Sequence, residues 1–209
     1  DHEPHPNAFV LGSLGPTIPQ EHDRAYDLVI GNPPWTAWKG LKAETLNKTA
    51  SDIVDRIADA LPSTLAETPT LRASLKGYKN PDSRPDLAFA WRAKEWAKDD
   101  GVIAFALHAR LLFNREGPTA EARNALFSVL KVTGILNGSA LRQTDVWPGV
   151  ASPWCLLFAR NQIPQATDAF YFVSPQVESG LNKRGIMRVD YASAEPIEFR
   201  VLAKQRRDP

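Results

Sequence analysis

The feature that most constrains this chain is the ten-residue run Tyr26-Asp27-Leu28-Val29-Ile30-Gly31-Asn32-Pro33-Pro34-Trp35. Leu28, Val29 and Ile30 are contiguous, apolar and mostly β-branched, which predicts a buried strand ended by Gly31. Asn32-Pro33-Pro34-Trp35 cannot prolong that strand. Two consecutive prolines remove two backbone donors and fix two φ angles. Pro33 also forces Asn32 into an extended conformation. The sequence therefore predicts a stiff turn at the C-terminal end of a strand, the edge at which open α/β sheets bind ligands.

The groups on that turn point to one kind of ligand. The Asn32 side-chain oxygen and the Pro33 carbonyl are two acceptors, and Pro34 brings no N–H to compete with them. Two acceptors side by side suit one –NH2 group and leave its nitrogen lone pair free. Trp35 adds a flat face on which a planar base can stack, worth about 1–3 kcal/mol. The alternative is a simple strand-ending turn, for which Asn-Pro is a common start.

This stretch resembles the Asn-Pro-Pro-(Tyr/Phe/Trp) motif of amino-group methyltransferases that use S-adenosylmethionine. The resemblance is strongest to the N6-adenine DNA methyltransferases of restriction–modification and phage-defence systems. It implies that Asn32 and the Pro33 carbonyl hold the N6 amine of a flipped adenine, that Pro34 stiffens the loop and that the base stacks on Trp35. It also implies Asp27, Gly31 and Asn32 on the cofactor side. The Asn-Pro-Pro form resembles the γ class, in which the cofactor motif precedes the catalytic one. The fold implied is α/β: a partial Rossmann-like methyltransferase with a mostly parallel sheet, an antiparallel last strand and a helical insertion after the catalytic motif.

No Gly-rich cofactor turn is evident; Gly12-Ser13-Leu14-Gly15 lacks the strand–loop–helix setting. The chain begins at Asp1, so the cofactor-binding half is expected upstream, and the isolated chain is expected to bind S-adenosylmethionine weakly or not at all. The implied partners are double-stranded DNA, that missing N-terminal half, and other restriction or defence subunits. Two other functions share the motif's logic: methylation of a release-factor glutamine or rRNA base, and a degenerate module that binds without catalysis. The long helical connection after the motif favours DNA.

Composition narrows the classes further. A length of 209 residues with 43% apolar and 23% charged residues suits one well-buried soluble domain with a small appendage. A net charge of +1 means that any DNA contact rests on local basic patches. One cysteine excludes a disulfide framework and fits a reducing, cytoplasmic setting. His2 and His5 have no carboxylate or thiol company, so no metal site is expected.

Along the chain, residues 8–12 read as a short strand. Residues 44–61 read as an amphipathic helix stopped by Pro62, and residues 65–76 as a second helix. The stretch 36–85 is expected to be an insertion beside the site, with Trp38 and Lys39 offered to DNA. Asp86 is a plausible N-cap of a helix running to about residue 97, and a candidate substrate contact. Lys98-Asp99-Asp100-Gly101 reads as the helix stop, before a strand at 102–107. That arrangement is a βαβ crossover. In the loop that follows, Arg110, Asn114 and Arg115 are the DNA-contact candidates, and His108 reads as structural. Thr119 is the expected cap of the next helix. Strands at 132–136 and 154–159 should pair antiparallel, with Cys155 a small core residue. Residues 1–160 are expected to form the catalytic piece. Residues 161–209 would be a β-rich extension with strands at 169–173 and 186–189 and a basic end at 204–207.

Overall fold

The computed structural model describes residues 11–15, 20–63 and 68–199. The expectations for His2 and His5, for most of the strand at 8–12 and for the basic end at 204–207 lie outside them. Leu11 and Gly12, the described part of that strand, enter a 3-10 turn instead.

Six strands form one sheet in the order β1-β2-β4-β3-β5-β6. They are β1 (Tyr26–Gly31), β2 (Ala97–His108), β3 (Lys131–Asn137), β4 (Trp154–Arg160), β5 (Ala169–Val173) and β6 (Glu195–Glu198). β1 and β2 run parallel, as do β3 and β5, while β4 lies antiparallel between β2 and β3. β6 is antiparallel to β5. Four strands thus point one way, and β4 and β6 point the other. Residues 186–189 carry no strand; the sequence signal there was a short apolar run, and β6 forms later.

The helices are α1 (Gly40–Asp59), α2 (Thr68–Leu75), α3 (Pro85–Trp96), α4 (Arg110–Phe113), α5 (Gly117–Val129) and α6 (Ser179–Asn182). α1 to α3 form the crossover between β1 and β2. α3 packs on those strands, and α1 packs on α3 through Leu46, Ala50, Ile53, Val54, Ile57 and Ala58. The 36–85 stretch is therefore part of the main core. α3 ends at Trp96 and β2 begins at Ala97, so residues 98–101 open the strand and are not a helix stop. Asp100 takes a φ of 60° there.

The caps also differ from expectation. Asp86 is the second residue of α3, because Pro85 occupies the first position and Arg84 the N-cap. Thr119 likewise sits inside α5, after Glu116 at the N-cap and Pro118 in the first turn.

The two faces of the sheet differ sharply. One face carries Val29, Ile103, Phe105, Val132, Ile135, Leu157 and Ala159 under the helices. On the other face, cross-strand pairing lines up Ile30, Ala104, Phe158, Gly134 and Tyr171 in a row across five strands. Ile30 is 72% exposed, Leu28 51%, Tyr171 49% and Phe158 40%. The expectation that β1 is buried on both faces is thus corrected: its apolar run is real, but half of it meets no described layer.

Near the C-terminal edge this second face gains a small core of its own. Leu136, Leu141 and Trp154 are buried there, with Trp35 and Trp147 packed against them. Gly138 makes this possible: a Cβ on it would lie 2.4 Å from the Trp154 ring.

Candidate active site at the β1 edge

β1 delivers Asn32 to the C-terminal edge of the sheet. Gly31, its last residue, is pressed against the Phe105 ring, which lies 2.5 Å from where a Cβ would be. Only glycine lets β1 come this close to β2 at its end. Beyond it, Asn32 is exposed, Pro33 is buried and Pro34 is exposed. No described residue hydrogen-bonds the Asn32 side chain, so its amide is open to a ligand.

Trp35 is half-buried and firmly held. Its indole Nε1 donates to the Ala106 carbonyl at 3.2 Å. It meets Trp147 edge-to-face at 5.3 Å and His108 at 6.3 Å. Its own carbonyl accepts from the Arg84 guanidinium at 2.8 Å. Next along the chain, the Trp38 N–H donates to the Ser83 carbonyl, and the Lys42 ammonium lies 4.1 Å from the centre of the Trp38 ring. The Asn-Pro-Pro-Trp loop is thus tied to β2 on one side and to the turn before α3 on the other.

His108 stands at the end of β2 beside this loop. Its Nδ1 accepts from the Arg110 backbone N–H at 3.1 Å, which leaves the proton on Nε2. Burial, reinforced by the charges of Arg110 and Arg84, pushes its pKa below the ordinary histidine value. The ring is a neutral, oriented neighbour of Trp35, in keeping with a structural reading.

The other expected site residues divide into two groups. Lys39, Asn114 and Arg115 are exposed on loops and available, and Trp38 is half-buried. Asp86 and Arg110 are not available to a substrate. The Asp86 carboxylate, with its side chain 2% exposed, takes both Arg110 guanidinium nitrogens at 2.8 Å. Such a buried bidentate pair holds α4 against the start of α3 and leaves neither charge for DNA. Asp27 also departs from expectation. It sits at the opposite end of β1 from Asn32, exposed and paired with Lys98 at 2.9 Å. Sequence reasoning missed Trp147, for which the Trp147-Pro148-Gly149 turn was the available signal, and the bond from Arg84 to Trp35, which nothing local marks.

The described residues do not by themselves make a site for S-adenosylmethionine. The Phe105 ring fills the space beside Gly31, Asp27 faces solvent at the far end, and no described strand leads through a Gly-rich turn into a helix.

No family model and no curated protein matches the chain. Solved structures do. The type I restriction–modification methyltransferase subunit of Streptococcus thermophilus superposes with a TM-score of 0.56 at 15% identity, over 93% of this chain and 39% of that one. At this identity the likeness is one of fold: this chain shares the mixed α/β architecture of that subunit. The type IIG restriction endonuclease BpuSI gives 0.56 at 10% identity, over 90% of this chain and 21% of its own. DrdV, solved in complex with DNA, gives 0.50 at 15% identity, over 82% and 17%. The chain therefore spans well under half the length of these structures.

Proposed function

We propose that this chain is the C-terminal part of the catalytic domain of a DNA adenine-N6 methyltransferase in a restriction–modification or phage-defence system. The observation that carries this reading is the open Asn32 amide at the C-terminal end of β1, next to an indole locked in place by the Ala106 carbonyl. Asn32 and the Pro33 carbonyl would accept the two N6 hydrogens of an extruded adenine, leaving its lone pair outward. Trp35 would meet the base, and Lys39, Asn114 and Arg115 would meet the DNA backbone.

The methyl donor would be S-adenosylmethionine, gripped by a preceding half of the same protein. Among the described residues, the exposed apolar side chains on the second face and the open edge of β1 support that partner. β1 and β2 pair in parallel, and parallel strands are ordinarily covered on both faces. Calorimetry on the 209-residue chain alone is expected to show no micromolar binding of S-adenosylmethionine.

The deciding experiment uses the full-length protein. Asn32→Ala should lower N6-methyladenine formation in duplex DNA by on the order of a hundredfold, measured by mass spectrometry of digested DNA. Unchanged DNA methylation, or label carried by protein or RNA, would reject the proposal.

A further inference from the structure

At the end of the sheet opposite Asn32 lies a cleft of about 1050 Å³. It opens where α3 ends, β2 and β3 begin and β4 runs out. Ile57, Leu61, Leu71 and Ile163 give it apolar walls. Three of its cations are already paired: Arg24 with Asp99 at 3.0 Å, Arg56 with Glu95 at 2.8 Å and Lys131 with Asp168 at 2.8 Å.

Lys94 is different. No described carboxylate lies within ion-pair distance of its ammonium, which donates to the Asn161 side-chain oxygen at 2.6 Å. Asn161 cannot turn away. Its amide donates to the Lys94 carbonyl at 3.0 Å and to the Ala97 carbonyl at 2.7 Å. A rigid amide thus fixes, in the lining of a partly apolar cleft, a cation that makes no ion pair among the described residues. Burial, helped by nearby Arg24 and opposed by Asp99, lowers the Lys94 pKa to about 8. An uncompensated charge in such a place is unfavourable, and an anion would relieve it.

We propose that this cleft binds a small organic monocarboxylate, its carboxylate on the Lys94 ammonium and its hydrocarbon body against Ile57, Leu61, Leu71 and Ile163. Of the carboxylates that line the cleft, Glu95, Asp99, Asp100 and Asp168 are held in ion pairs, so the lining has one cation to offer a single carboxylate and none to spare for a polyphosphate or nucleic acid. The site is separate from the Asn32 edge and stands or falls independently of the methyltransferase reading.

The test is calorimetry of the 209-residue chain with hexanoate, at about pH 8.5, in two buffers of different ionisation enthalpy. Saturable binding is expected, with net proton uptake, because a bound carboxylate restores the Lys94 charge. Uptake should vanish near neutral pH, where Lys94 is already protonated. Hexan-1-ol should bind at least about tenfold more weakly, and Lys94→Met, checked for folding by circular dichroism, should cost hexanoate about the same factor. Inorganic phosphate should not compete. The proposal is overturned by no saturable hexanoate binding, by equal binding of the alcohol, by an unaffected Lys94→Met protein or by binding without proton uptake.

Discussion

Two isoleucines in adjacent strands show how differently the two sides of this sheet are used. Ile103 in β2 points into the helix layer and is 1% exposed; Ile30 in β1 points the other way and is 72% exposed. Both belong to apolar runs that read alike in sequence. The helix-covered side is a finished core. Among the described residues, the opposite side is covered near the site, where Trp147, Trp154 and Leu141 close over it. Burial is thus a property of the layer that arrives to cover a strand. In the row across that side, Ile30, Phe158 and Tyr171 stay exposed.

The contrast can be broken by matched substitutions, each measured by urea unfolding of the chain. Ile103→Ala should have the largest effect, a loss of about 2–5 kcal/mol from the cavity it leaves. Gly31→Ala comes next. The added methyl must displace the Phe105 ring, for about 1–3 kcal/mol, and β1 should separate from β2 at the edge that carries Asn32. Ile30→Ala should have the smallest effect, within about 0.5 kcal/mol. A loss at Ile30 as large as that at Ile103 would show that the second face is covered within this chain. A large loss at Ile30 only in the full-length protein would sharpen the contrast into a map of the interface.

Much of the architecture was legible in the sequence. Leu28–Ile30, Val102–Leu107 and the 132–136 and 154–159 pair announce themselves as strands, since contiguous β-branched and apolar runs have few other uses. The antiparallel placement of β4 followed from its proximity to β3. The exposed position of Asn32 followed from the two prolines. Three things were not legible. An apolar run does not say how many of its faces are covered. The Asp86–Arg110 pair joins residues 24 apart, and only the fold reveals that each neutralises the other. Cap positions shifted because Pro85 and Pro118 are better first-turn residues than Asp86 and Thr119 are caps.

The bond from the Arg84 guanidinium to the Trp35 carbonyl spans 49 residues of sequence. Together with the Trp38–Ser83 backbone bond, it ties the proline corner to the turn that leads into α3. A shift of that helix would therefore pull on the backbone that carries the aromatic plate, while the Asn32 side chain has no such tether among the described residues.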